Sequence, residues 1–223
     1  MARDGRRTQA ERAAETRDAL ISAARPLFAS LGFAEVSLET IVRDAGVTRG
    51  ALYHHFADKT ELFAAVFEQV EGEMAQRMGE AVAATGQSEP VEIMRLCAEL
   101  WLDACAEPEI QRIVLLEALA VLGWERWSDI GQRYNIGFVT ALLTDAIESG
   151  AIPRQPIEAT ALTIMGALRE ATLYIARADD QRQARADAGA VMDRLLDALR
   201  ANGTGERRPS APAKKASRSP RVS

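Results

Sequence analysis

Residues 36–59, VSLETIVRDAGVTRGALYHHFADK, constrain this chain more than any other stretch. Ser37 is a good N-cap for a helix over 38–45, with Glu39 and Thr40 in its first turn. Gly46 suits the helix stop, where a left-handed backbone costs nothing without a Cβ. Val47 is an apolar anchor inside the turn. Thr48 can cap a second helix over 49–56, and Asp58 a third. Two short helices around a Gly-containing turn make the helix-turn-helix pattern. Leu38, Ile41, Val42, Ala45, Val47, Leu52 and Phe56 are placed to form its small core. Thr48, Arg49, Tyr53, His54 and His55 are left for the opposite face.

In that motif the second helix lies in the DNA major groove, with its N-terminal residues nearest the bases. The residue types suit the task. Arg49 can fork onto a guanine or a phosphate, and Gly50 lets backbone approach backbone. The hydroxyls of Thr48 and Tyr53 and the ammonium of Lys59 are phosphate-type donors, and Ser37 at the first helix's start joins this set. The same pattern also describes a plain helical hairpin whose polar residues are solvated.

Residues 16–63 resemble the N-terminal domain of the TetR family of transcriptional regulators. The resemblance is carried by TRDALISAARPLFASLGF, SLETIVRDAGV, TRGALYHHF and ADKTELF, with GALYHHF followed by Asp58-Lys59 as its most specific part. AVLGWERW further on resembles one subset of the family's C-terminal domains. The resemblance implies an all-α fold: a three-helix helix-turn-helix domain over 11–59 and a larger helical bundle over 60–202, about nine helices in total. It implies a homodimer on a pseudo-palindromic operator, and a ligand-responsive regulator, most simply a repressor. It also implies a small-molecule effector in the C-terminal domain, and Pro26 departs from its usual pattern.

Charge is unevenly placed. Lys+Arg against Asp+Glu run nine to eight over 1–60, twelve to twenty-three over 61–205, and six to one over 206–223. An acidic body is repelled by DNA, so contact must be confined to the front. Residues 1–10 read as a mobile basic arm, and 203–223, rich in Pro, Ser, Lys and Arg, as a disordered basic tail. With no apolar run near the roughly 20 residues of a membrane span and a polar N-terminus, no membrane association is expected and the cytoplasm is the default.

The rest reads as helix throughout. Pro26 should kink the first helix, expected over 11–31. A long helix over 60–85 begins beside the reading motif and runs away from it. Further helices are expected over 90–105, 108–121, 125–149, 156–178 and 181–201, punctuated by Pro108, Gly123, Gly150 and Pro156. The last two are apolar on more than one side, which suits a four-helix interface between two copies, or a monomer core that swallows both. Glu117 and the Arg169-Glu170 pair stand in apolar runs and need a partner or water. They can pair structurally, face a partner or solvent, or line a ligand cavity with Trp101, Trp124, Trp127, Tyr134, Phe138 and Tyr174.

Chemistry is sparse. Cys97 and Cys105 are eight residues apart on one helical pattern, about 12 Å along the axis, too far for a disulfide. Both read as small core residues. The chain has two histidines, adjacent and pointing about 100° apart, poorly placed to share a metal. No zinc spacing, phosphate-binding Gly loop or nucleophile elbow occurs, so no cofactor, metal or catalytic residue is expected. Two other classes remain conceivable: an all-helical sequestering protein without DNA readout, and an architectural binder using the basic tail.

Overall fold

The computed structural model describes residues 8–200. Residues 1–7 of the expected arm and the expected tail lie outside the described residues. Nine helices are described: α1 (Gln9–Leu31), α2 (Leu38–Asp44), α3 (Arg49–His55), α4 (Lys59–Thr85), α5 (Pro90–Ala104), α6 (108–122), α7 (124–148), α8 (Ile157–Arg177) and α9 (Gln181–Arg200). There is no strand among the described residues, so the all-α expectation holds.

Helix α1 starts two residues before the expected Glu11. Thr8 and Glu11 form a reciprocal capping box that satisfies two otherwise orphaned N–H groups. The helix continues through Pro26. Packing holds the turn that the proline weakens: Ala24 and Phe28 are fully buried, and the Phe28 ring meets Phe63 of α4 edge-on at 5.2 Å. Arg25 grips Glu73 of α4 at 2.7 Å and Glu109 of α6 at 2.7 Å, so the head is pinned to the body at this level.

The helix expected over 108–121 and that over 125–149 meet at Gly123, whose φ of +73° breaks them. Two stretches within them, Gln111–Glu117 and Gln132–Ile136, are π-helical. Such wide turns concentrate at functional sites, and both of these line the same cavity.

Helix α9 is strapped to α5 by arginines. Arg95 meets Asp193 at 2.5 Å and Asp197 at 2.6 Å, Arg185 meets Glu99 and Asp103, and Arg200 meets Glu89 and Glu92. Of the apolar residues on the last two helices, Leu168, Met192 and Leu196 face the core. Leu162, Tyr174, Val191 and Leu195 face outward, each about half exposed.

Candidate nucleic-acid interface and effector chamber

The reading head is assembled by its caps. Ser37 Oγ accepts from Thr40 N–H at 3.1 Å and starts α2. Thr48 Oγ1 accepts from Ala51 N–H at 3.2 Å and starts α3. Gly46 supplies the left-handed residue between them, at φ +66°, and Val47 N–H returns to Val42 C=O at 3.2 Å. Ile41, Leu52 and Phe56 are buried beneath, while Leu38, Val42, Ala45 and Val47 close the edges.

Thr48, Arg49, Gly50, Tyr53 and His54 are left exposed on the outer face of α3. Arg49 donates to Tyr53 Oη at 3.3 Å, lies over that ring, and pairs with Glu39 of α2 at 3.1 Å. A Cβ on Gly50 would touch only Thr48 Oγ1, at 4.0 Å, so nothing within the chain requires glycine there. His55 is half-buried, and burial, then His54 and Arg17, disfavours its charged form.

Lys59 departs from the expectation that it serves as a phosphate donor. Its Nζ donates to Phe33 C=O at 2.7 Å, Val36 C=O at 2.9 Å and Ala34 C=O at 3.4 Å, and it sits 4.4 Å from the Phe33 ring centroid. The ammonium's three donors are therefore spent on the loop between α1 and α2. Because α4 begins under that loop, its first residue bolts the motif together from within.

Of the three readings open for Glu117, the structure takes the structural one: it is not among the lining residues of the apolar chamber described below. Its Oε2 accepts from Phe33 N–H at 2.8 Å, on the same loop that Lys59 holds. One residue, Phe33, is thus gripped from the body through its N–H and from the start of α4 through its C=O. Glu117→Ala should cost about 1–2 kcal/mol by leaving that amide unpaired. Glu117→Gln, which keeps the acceptor, should recover most of it; urea unfolding midpoints of the two variants check this.

Body helix α7 is fastened to α4 by a column of polar contacts. Arg126 chelates Glu61, Arg133 meets Glu68 at 2.8 Å, and the Tyr134 ring packs over Gly72, where a Cβ would lie 3.4 Å from it. Asn135 donates to Glu71, which is only 3% exposed. Burial pushes the Glu71 carboxyl up to about 7, partly offset by that hydrogen bond.

Behind this column lies a two-lobed apolar chamber sharing Trp101, Asn135 and Met165 as a common wall. One lobe, about 400 Å³, is lined by Tyr134, Phe138, Met78 and Cys97 among others. The other, about 290 Å³, is lined by Phe67, Glu71, Trp124, Trp127 and Arg169. Trp101 Nε1 and Arg169 Nε are buried without a protein acceptor. Of the residues expected at a cavity, Trp101, Trp124, Trp127, Tyr134, Phe138 and Arg169 lie on these walls. Glu170 and Tyr174 do not; they edge a shallow surface depression, and Glu170 pairs with Arg169 at 3.2 Å. Both cysteines are unpaired, with thiols pushed up by burial, Cys97 to about 11 and Cys105 to about 12.

The chamber's acid, Glu71, escaped the sequence reading. Its signal was present: Phe67, Val70, Met74 and Met78 form the inward stripe of α4, and position 71 falls within it at helical spacing. Asn135 carries no comparable mark, because it lies in the π-turn at 132–136, where helical spacing does not tell which residues face inward.

A capped reading helix exposed at one end of an all-helical chain defines a helix-turn-helix DNA-binding regulator. Residues 20–66 match the bacterial regulatory proteins of the tetR family, and residues 91–199 match the tetracyclin repressor-like C-terminal domain. A solved TetR-family transcriptional regulator from Pectobacterium atrosepticum is 38% identical, with a TM-score of 0.72 over 86% of this chain and 97% of that one. The HTH-type transcriptional repressor BepR of Brucella suis is 37% identical over 109 residues, 49% of this chain and 51% of BepR. The transposon Tn10 TetC protein of Escherichia coli is 27% identical over 144 residues, 65% of this chain and 72% of TetC. The match to BepR thus spans about half of that relative's length. The chain belongs to the TetR family of transcriptional regulators.

Proposed function

We propose that this regulator is a repressor that binds a pseudo-palindromic operator as a homodimer and releases it when a small molecule enters the chamber. The observation that carries the DNA reading is the outer face of α3, where Thr48, Arg49, Tyr53 and His54 are exposed and surplus to the core. Helix α2 supports it with Ser37 at its start. Arg49 is held ready by Tyr53 and by Glu39, a partner that a phosphate or guanine would displace. The outward residues Leu162 and Tyr174 of α8 and Val191 and Leu195 of α9 support pairing through these two helices, since two copies would form a self-complementary four-helix face. No described helix is long and apolar enough to cross a membrane. Binding the cell's DNA is consistent with a cytoplasmic protein that acts by binding and not by catalysis.

The route from chamber to operator runs along two paths. Glu71 lies on α4, whose first residue is the bolt Lys59. The π-turn that supplies Val114 and Leu115 to the chamber ends at Glu117, which holds Phe33. Occupying the chamber biases the equilibrium between two head spacings by the ligand's differential affinity for them. The test of DNA reading is fluorescence anisotropy with the duplex upstream of the protein's own gene. Arg49→Ala should weaken binding about tenfold, the loss of one bidentate contact. Wild-type affinity should fall steeply between 50 and 200 mM salt, as about six or more phosphate contacts require. Unchanged binding by Arg49→Ala, with a flat salt dependence, would remove α3 from the interface.

A further inference from the structure

Glu71 is the one carboxylate among the described residues of the chamber wall, and its partners do not account for its charge. Three of the other four acids on α4 are matched by arginines, Glu61 with Arg126, Glu68 with Arg133 and Glu73 with Arg25, and Glu80 is exposed and accepts from Gln76. Glu71 pairs with no cation among the described residues and receives one neutral hydrogen bond, from Asn135 of α7. The other groups around it are Cys105 at the end of α5 and Tyr134 of α7, neither of them cationic. Arg169 of α8 is the only cation on the same lobe's described wall, and it is already paired with Glu170.

A carboxylate in such a place is costly to keep ionised unless a positive charge reaches it. Around it stand Phe67, Trp101, Trp124 and Trp127, a lining whose π-faces attract cations and bury an apolar body. We propose that the chamber takes a lipophilic amine, its ammonium held against Glu71 and its apolar part among the three tryptophans. This rests on the reading of the chamber as the effector site and gives that effector a chemical class. Trp101 Nε1 and Arg169 Nε, both buried without acceptors, add a second demand, an oxygen acceptor on the amine's apolar part.

The carboxyl of Glu71, raised by burial to about 7, makes the binding proton-linked. An ammonium binds the ionised form, so below pH 7 the amine must first expel a proton. Affinity then plateaus above pH 7 and weakens about tenfold between pH 8 and pH 6.

The chain's three tryptophans all line the same lobe, so intrinsic fluorescence reads its occupancy. Three probes of one shape separate the chemistries: 4-phenylbutylamine, 4-phenylbutan-1-ol and 4-phenylbutanoate. At pH 8 the amine should bind the full chain at least about tenfold more tightly than the alcohol, the size of one charge-assisted contact. In Glu71→Gln that preference should shrink to within about twofold, alcohol affinity should stay within about threefold, and the pH dependence should vanish. Retained alcohol binding shows that the variant's chamber is intact. Equal binding of alcohol and amine by the wild type, tightest binding of the carboxylate, or an amine preference that survives Glu71→Gln overturns the proposal. If no probe changes the fluorescence, the amine assignment and the effector-site reading fall together. If the amine binds selectively but leaves operator affinity unchanged, the assignment stands and the regulatory coupling falls.

Discussion

Lys59→Ala should cost the protein about 3 kcal/mol of stability and abolish operator binding by loosening the head. The ammonium closes on the carbonyls of Phe33, Ala34 and Val36, the loop that sets α2 against α1. A hydrogen bond to a charged group contributes about 1.5–3 kcal/mol, and removing the donor also leaves half-buried carbonyls to find water. The aromatic face of Phe33 under the ammonium adds to this. Lys59→Arg should recover only part, because a planar fork cannot serve three carbonyls converging on one point. Urea unfolding of wild type, both Lys59 variants and Arg49→Ala separates the roles. Arg49→Ala should leave the midpoint within about 0.5 kcal/mol, as exposed substitutions do. If Lys59→Ala instead left stability untouched and lowered the salt slope of operator binding by about one, the lysine would be a phosphate contact after all.

That lysine marks where reading a sequence stops. The helix-turn-helix was legible because its determinants are local: Ser37 and Thr48 cap within three residues, Gly46 turns in place, and the buried stripe repeats at helical spacing. The break at Gly123 was legible for the same reason. Lys59 points to phosphate by residue type alone, since its partners lie 23–26 residues away on a loop whose fold no spacing announces. Glu117 stands in an apolar run, which leaves a structural pair, a partner or solvent, and a cavity wall all open. Its partner, the Phe33 amide, is 84 residues distant. The π-turns at 111–117 and 132–136 defeat periodicity in a further way. They shift the register of everything after them, so inward and outward faces cannot be counted from the helix start. The chamber's aromatic walls were found as a composition, while its polar anchor, Glu71, was lost among many surface acids.

Glu71→Gln should make the protein more stable at pH 8, by about 2–3 kcal/mol, and change little at pH 5. The carboxyl is raised from 4.5 to about 7 by burial. The folded chain therefore binds a proton that the unfolded chain gives up anywhere between these values, and stability is lost as pH rises from about 4.5 to about 7. Above that range the folded protein holds a buried, unpaired charge at constant cost. Glutamine is neutral at every pH, keeps an acceptor for Asn135 and fills nearly the same volume. His55 contributes with the opposite sign, since burial disfavours its charged form and stability therefore rises with pH toward its ordinary value of 6.5. Subtracting wild type from variant cancels that contribution. Denaturant unfolding at pH 5, 6, 7 and 8 should therefore give a difference that opens through pH 6 and levels off above 7. A difference that is flat across this range would mean Glu71 is solvated in the folded state. A variant less stable at pH 8 would mean that a cation within the chain holds it. A stabilising loss of charge at the centre of the chamber would mark Glu71 as retained for the molecule it receives, because nothing in the fold itself requires a charge there.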